Sequence, residues 1–150
     1  MTYLLDTNVI SALAPTRKSR SEALATWLDQ ASEALFLSVV TAAEIRDGIA
    51  KAAREGAVRK AADLREWWDA VEYLYFRRIL PFDLPAAAIA GGMIDAARAA
   101  GHHPGFADIA IAATAQANGL TILTGNIRHF LGITDRVRDP FAALPPLPGA

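Results

Sequence analysis

Cysteine is absent from this 150-residue chain, which excludes disulfide bonds, thiolate-bound metals and cysteine nucleophiles. No apolar run reaches the roughly 18 residues of a membrane span. A basic segment followed by an apolar stretch, the mark of a secretory signal, is also missing at the N-terminus. The phosphate-binding loop G-x-x-x-x-G-K-[ST] does not occur, so ATP hydrolysis is not indicated. We therefore expect a cytoplasmic protein that makes no contact with a membrane.

An excess of positive charge is missing as well. The formal net charge is −1 and the pI is about 6.3, which is not the overall signature of a nucleic-acid-binding protein. An anionic substrate would have to be held by local basic residues or by metal ions. What the chain does have is apolar residues, 53% of the total, with a mean hydropathy of +0.21. This predicts one folded domain and favours a protein partner for part of its surface.

Short apolar runs alternate with helical patterns along the chain. This alternation predicts a single α/β domain over residues 1–141, with a parallel sheet of four to five strands and helices on both faces. Residues 142–150 read as a proline-rich tail that cannot continue regular structure. Strands are predicted at 2–6, 34–40, 78–82 and 120–124, with a weak fifth strand within residues 125–141. Helices are predicted at 8–14, 22–32, 41–56, 59–76, 84–101 and 107–119.

Polar side chains with oxygen atoms recur at one predicted edge of this sheet. In an open parallel sheet, ligands bind beyond the carboxyl ends of the strands. Asp6 ends the first strand, Glu44 follows the second strand in the first turn of its helix, and Asn126 follows the fourth. Asp108 begins the helix that runs antiparallel into the fourth strand, which places it at the same edge. The sequence thus predicts a shared site formed by Asp6, Glu44, Asp108 and Asn126.

Each of these residues also has an ordinary structural interpretation. Asp6 can form an Asx-turn or cap the next helix, and Thr41 with Glu44 matches a capping box. Asp108 is favoured in a first helical turn by the helix dipole, and Asn126 after a glycine is a common turn residue. Convergence of all four on one edge is harder to explain by capping alone.

Three carboxylates in one place repel each other, and their pKa values rise unless a cation is present. All-oxygen ligands suit Mg²⁺ or Mn²⁺ rather than structural zinc. A hydrated ion of this kind leaves positions open for a phosphate, so the pattern favours metal-assisted hydrolysis of a phosphodiester.

The order of three segments resembles a known family. "YLLDTNVIS", "VTAAEIRDGI" and "ADIAIAATA" followed by "TILTGN" are similar to a PIN domain, of the kind found in VapC and FitB-type toxins of type II toxin–antitoxin modules. The resemblance covers roughly residues 1–141. It implies a Mg²⁺- or Mn²⁺-dependent endoribonuclease acting on tRNA or rRNA, a homodimer, and inhibition by a small VapB-like antitoxin.

The resemblance also assigns residues. The family's three acids fall on Asp6, Glu44 and Asp108, which would hold the metal. Its fourth position, Asp in many members, is Asn126 here, and a neutral amide weakens any second metal site. Thr7 and Thr124 match positions that often carry a hydroxyl, and Arg46 matches an arginine that could steer phosphate.

The resemblance adds two further expectations. Gly125 stands where the family often has a basic residue, so a possible phosphate contact is lost. Trp67 and Trp68, on the helix at 59–76, predict an apolar face that an antitoxin helix could cover.

Two other functions fit parts of the sequence. A haloacid-dehalogenase-type phosphatase also begins with an aspartate after its first strand, but it needs D-x-D, and Asn8 occupies the third position here. A PIN-like module that binds RNA or protein without cutting is the stronger alternative. Three histidines lie near the predicted site: His102 and His103 read as surface-loop residues, and His129 could reach the substrate.

Overall fold

Five parallel strands form one sheet in the computed structural model, which describes residues 1–149. Their order is β3-β2-β1-β4-β5, so the first strand lies in the centre. Every pairing between neighbouring strands is parallel, as predicted, and the weak fifth strand is present. The strands are β1 (Tyr3–Leu5), β2 (Leu35–Ser38), β3 (Ile79–Leu80), β4 (Thr121–Leu123) and β5 (Val137–Arg138).

Six helices cover both faces of this sheet over residues 1–149. Side chains alternate along β1: Tyr3 and Leu5 pack into one apolar cluster and Leu4 into the other. The first cluster receives the four helices that come first along the chain, and the second receives the last two. The predicted α/β class is confirmed. The helices are α1 (Thr7–Ser11), α2 (Glu22–Gln30), α3 (Val39–Arg54), α4 (Val58–Tyr75), α5 (Leu84–Ala99) and α6 (Phe106–Ala117).

The start of α3 differs from the prediction. Ser38 is the N-cap, and its hydroxyl accepts the Val40 N–H at 3.0 Å. The β-branched pair Val39–Val40 had favoured a longer strand, but capping by Ser38 starts the helix two residues before Thr41. The predicted capping box of Thr41 and Glu44 is therefore wrong. Thr41 lies inside the helix, fully buried, which leaves Glu44 free of a capping role.

The C-terminal segment packs against the domain. The indole Nε1 of Trp27 donates to the Pro145 carbonyl at 2.8 Å, and the Tyr3 hydroxyl donates to the Pro146 carbonyl at 3.1 Å. Both aromatic side chains belong to the core. Residues 145–146 thus satisfy polar atoms of buried aromatics, so this part of the predicted tail belongs to the folded unit.

The two adjacent tryptophans of α4 have different environments. Trp68 is completely buried, and its Nε1 has no hydrogen-bond partner within residues 1–149. Trp67 is half-buried at the edge of the same cluster. Of the two tryptophans predicted to form an apolar face for an antitoxin helix, only Trp67 therefore offers accessible surface. None of the helices described is long and apolar enough to cross a membrane.

Candidate active site

Asp6 is held at the carboxyl end of β1 by a backbone hydrogen bond and by three hydrogen bonds to its carboxylate. Its backbone N–H donates to the Leu123 carbonyl, which fixes the end of β1 beside β4. One carboxylate oxygen accepts the Thr7 N–H at 2.8 Å, and the other accepts Asn8 Nδ2 at 3.1 Å and Thr124 Oγ1 at 2.8 Å. The side chain is only 6% exposed. Asp6 does cap α1, but the two donors from Asn8 and Thr124 exceed what a helix cap needs.

Asn8 and Thr124 orient one another around this carboxylate. The Gly125 N–H donates to Asn8 Oδ1 at 2.8 Å, so the Asn8 amide group must present Nδ2 to Asp6. The buried Thr124 hydroxyl gives its single proton to Asp6 and accepts from Asn8 Nδ2 at 3.2 Å and from the Asn126 N–H at 2.9 Å. Because all three hydrogen-bonding positions of the Thr124 hydroxyl are in use, this network fixes the position of the Asp6 carboxylate.

Glu44 reaches the same edge from α3. The Thr7 hydroxyl donates to Glu44 Oε1 at 2.6 Å and lies 3.0 Å from the Thr41 hydroxyl. Because Thr7 has one proton and gives it to Glu44, Thr41 must be the donor to Thr7. Glu44 is solvent-exposed, yet its carboxylate is tethered to the residue that follows Asp6. The structure therefore brings the second predicted acid to the site, in the second turn of α3 rather than the first.

Asp108 lies in the first turn of α6, as predicted, and is partly buried. Burial raises the pKa of the Asp108 carboxyl above its usual range, and the negative charges of Asp6 and Glu44 raise it further. His129 Nδ1 lies 3.5 Å from Asp108 Oδ2 and opposes this effect. The mutual influence of these three carboxyl groups places Asp6, Glu44 and Asp108 in one electrostatic neighbourhood.

The donor set suits a hydrated divalent cation. Among residues 1–149, no three His, Asp or Glu side chains close around one point as a complete ligand set. Mg²⁺ does not need one, because it keeps several waters and is often held by one or two carboxylates. The oxygen-only chemistry and the repulsion recorded at Asp108 both fit such an ion. Asp6, Asp108 and Glu44 are the residues that would hold it, one or two of them directly and the rest through its bound waters.

Two other predicted site residues have side chains that form no hydrogen bond with the three acids within residues 1–149. Asn126 is exposed, and its backbone N–H rather than its side chain contacts Thr124. The guanidinium of Arg46 is engaged by α4, at 3.2 Å from Asp69 and 2.5 Å from Glu72. The two ion pairs occupy Arg46 and give it a role in helix packing, which leaves it poorly placed to steer phosphate.

Sequence reasoning missed Asn8 and Thr41 as site residues. The available signal for Asn8 was its position two residues after Asp6, in a polar triplet that follows a buried strand. Thr41 looked like a helix cap and was given that role. In each case the side chain supports a carboxylate or its neighbour, and such support depends on contacts between distant segments.

Comparison with known proteins gives consistent results. The sequence profile of the PIN domain matches residues 3–133. The chain is 37% identical to Toxin FitB from Neisseria gonorrhoeae over 140 residues, 92% of this chain and 97% of that protein. It is 38% identical to VapC ribonuclease Y4jK from Sinorhizobium fredii over 128 residues, 85% and 89% of the two chains. The crystal structure of FitAcB from N. gonorrhoeae superimposes with a TM-score of 0.79 at 36% identity, covering 93% of this chain and 99% of that one. Structures of VapBC complexes share the fold.

Proposed function

Because this chain belongs to the PIN-domain family and to its FitB- and VapC-type toxins, we propose that it is a metal-dependent endoribonuclease, the toxin of a type II toxin–antitoxin module. The observation that carries the proposal is the convergence of Asp6, Glu44 and Asp108 on one sheet edge, with Asp6 fixed by three donors. The substrate we propose is tRNA or rRNA, cut in the cytoplasm.

The residues of the site have distinct tasks in this scheme. A bound Mg²⁺ or Mn²⁺ would supply an activated water and offset charge on a phosphate oxygen. Asp6 gives the site a fixed anionic position, because none of its three hydrogen bonds can rearrange without breaking another. Thr7 holds Glu44 beside it. Glu44 is on α3 and Asp108 is on α6, and these helices pack mainly on opposite faces of the sheet. The reacting phosphate would therefore lie between two helices that the sheet holds in fixed positions.

The test of this function is metal-dependent RNA cleavage. Purified protein is incubated with total bacterial RNA in EDTA, in Mg²⁺ and in Mn²⁺, beside an Asp6→Asn variant whose fold is checked by circular dichroism. We expect cleavage only with metal and a loss of at least about 100-fold in the variant, extrapolating from the 10–100-fold cost of disturbing outer-shell ligands. Cleavage that persists in EDTA would reject the metal site. Metal binding without cleavage would favour the alternative, a module that binds RNA or protein without cutting.

We further propose that a VapB-like antitoxin binds in a cleft between α1, α3 and α4. The cleft holds about 470 Å³, and its lining includes Thr7, Glu44 and Trp67 together with two cations, Arg17 and Lys60. It joins an apolar wall to one acid of the site, so an amphipathic segment with a basic side chain would fit both parts. The occupant would then exclude metal or substrate at Glu44.

Substitution of the two tryptophans separates binding from folding. Trp67→Ala should weaken antitoxin binding by more than about 1 kcal/mol, as for a buried aromatic anchor, while RNA cleavage survives. Trp68→Ala is the contrasting variant: it empties a core position and should destabilise the fold by about 3–5 kcal/mol. Titration calorimetry with the protein encoded by the neighbouring gene measures the first effect. Unchanged affinity in Trp67→Ala would move the partner surface elsewhere.

The family resemblance also supports a homodimer. Large apolar side chains remain exposed at the end of α4, with Tyr73 at 84%, Leu74 at 68% and Phe76 at 74%. Such a patch favours a protein contact. Light scattering of the wild type and of Leu74→Asp tests this, and a wild-type monomer would contradict it.

A further inference from the structure

A second cleft opens beside Asp6, on the side of β4 and β5. It holds about 430 Å³ and is lined by residues that include Asn8, Arg17, Gly125, Asn126 and Phe141. We name it the Phe141 cleft. It shares Asn8 with the hydrogen-bond network of Asp6, so a group bound in it would lie next to the reacting centre. Its volume falls in the range of small-molecule sites.

Phe141 presents an aromatic ring in this cleft against the backbone of Gly125. A Cβ placed on Gly125 would lie 3.0 Å from Phe141 Cε2 and 3.1 Å from Cδ2, closer than such contacts allow without movement. The absence of a side chain at Gly125 therefore makes room for the ring. Phe141 remains 49% exposed, although an aromatic side chain gains most when it is buried. The ring is held in place with about half of its surface free.

Arg17 supplies positive charge to the same cleft. It lies in the segment between α1 and α2, which also carries Lys18 and Arg20. Within residues 1–149, Arg17 forms no ion pair, and no acidic residue lines this cleft. The Phe141 cleft thus has a guanidinium on a different segment of the chain from Gly125.

An aromatic ring and an unpaired cation beside a phosphodiester-cleaving site suit one kind of ligand. Single-stranded nucleic acids bind by stacking bases on aromatic side chains, while basic residues contact the phosphates. Arg17 also lines the cleft of Trp67, but there it accompanies Lys60 and the carboxylate of Glu44. Among the residues that the structure describes, Arg17 is the only charged residue in the lining of the Phe141 cleft, so that cleft presents a cation and an aromatic ring with no carboxylate, which matches RNA.

We propose that the Phe141 cleft binds the nucleotide next to the scissile phosphate, with Phe141 stacking on its base and Arg17 contacting its phosphate. The proposal rests on the ribonuclease function proposed above and names a part of the substrate site. It also explains Gly125, because a larger residue there would displace the ring.

The stacking role is tested by RNA affinity. The probe is a fluorescein-labelled, mixed-sequence single-stranded RNA of roughly ten nucleotides, measured by anisotropy in EDTA, where the proposed metal-dependent cleavage cannot occur. Phe141→Leu keeps an apolar side chain against Gly125 but removes the aromatic ring, and should weaken binding about 5- to 100-fold. Phe141→Trp should restore affinity. Phe82→Leu, a partly buried phenylalanine that follows the edge strand β3 on the other side of the sheet, is the matched control and should bind as the wild type does.

The same measurement with an abasic oligomer isolates the base. Without bases, wild type and Phe141→Leu should bind equally, whereas a merely structural role for Phe141 would leave the difference in place. For Arg17, the readout is salt dependence. Arg17→Ala should reduce the slope of log affinity against log salt by about 0.7, as for one lost phosphate contact on a single strand. Arg20→Ala, from the same segment, is its control.

The outcomes separate this proposal from the one on which it rests. If wild type cleaves RNA with Mn²⁺ but Phe141→Leu binds and cleaves equally well, the cleft is not part of the substrate site and the ribonuclease stands. If Phe141→Leu instead loses antitoxin in titration calorimetry and keeps RNA affinity, the cleft belongs to the partner. If wild type neither binds nor cleaves RNA, both proposals fall together.

Discussion

Two carboxylates of the site, Asp6 and Asp108, have opposite surroundings. Asp6 is buried and accepts three hydrogen bonds. Asp108 is partly exposed, and its near neighbours are two negative charges and one imidazole at 3.5 Å. Hydrogen bonds therefore fix the Asp6 carboxylate in place, whereas the negative charges of its neighbours repel the Asp108 carboxylate. A carboxylate under repulsion is stabilised by a cation, while Asp6, with three hydrogen bonds and acceptor capacity left on Oδ1, would give that cation a fixed location.

The largest effect on RNA cleavage should come from removing negative charge at Asp108 or Glu44, where the carboxylates repel each other. Asp108→Asn and Glu44→Gln should each reduce RNA cleavage by at least about 100-fold, on the same extrapolation from ligand-support effects as for Asp6. Gln at position 44 can still accept the Thr7 hydroxyl, so this variant tests charge rather than hydrogen bonding. Asp47→Asn, an exposed acid on the same helix, is the control. Full activity of Glu44→Gln would reduce Glu44 to a structural partner of Thr7.

A smaller loss of cleavage should follow from removing one of the hydrogen bonds that fix Asp6. Thr124→Val removes one donor to Asp6 and leaves the Asn126 N–H without its acceptor, while Asn8 Nδ2 keeps only its bond to Asp6. We expect a loss of about 10- to 100-fold in kcat, as measured for supporting residues around metal ligands. Thr121→Val, at the opposite end of β4, should leave kcat unchanged. Equal kinetics in the two variants would mean that the fixed position of Asp6 is unimportant for cleavage.

The smallest effect concerns Asn126. Its side chain is exposed and lines the Phe141 cleft, so we expect one well-occupied Mn²⁺ and only a weak second ion. Asn126→Asp adds a negative charge at the border of the site and should strengthen Mn²⁺ binding several-fold, since exposed charges interact weakly. Titration calorimetry on substrate-free protein measures both. Two tight and equivalent sites in the wild type would contradict this assignment.

The sequence predicts the acidic residues of the site better than it predicts the residues that hydrogen-bond to them. A buried strand that ends in Asp6, and a helix that begins near Asp108 and runs antiparallel into β4, follow from periodicity and strand direction alone. The bond between Thr124 and Asp6 joins residues 118 positions apart, and no local pattern records it. Asn8 was overlooked for the same reason, because its orientation depends on the Gly125 N–H.

Local sequence patterns also gave wrong predictions where the same residues fit two different structures or roles. Val39 and Val40 favour a strand by propensity, yet Ser38 caps a helix that includes them. Trp67 and Trp68 looked equivalent on the helical stripe, but only packing decides that one is completely buried. Arg46 matched a functional position, and the acids of α4 that engage it lie 23 and 26 residues away.

Thermal unfolding of wild type and Asp108→Asn, with and without Mn²⁺, tests the central contrast most directly. Because the pKa of Asp108 is raised in the folded protein above 3.8, its ionisation opposes folding at any pH above that raised value. Without metal at pH 7, Asp108→Asn should therefore melt above wild type, by about 2 °C or more, and the difference should shrink as the pH falls through the folded pKa. With Mn²⁺, wild type should gain more than the variant. A variant that melts lower without metal, with equal gains from Mn²⁺, would contradict the assignment of Asp108 as a strained ligand awaiting a cation.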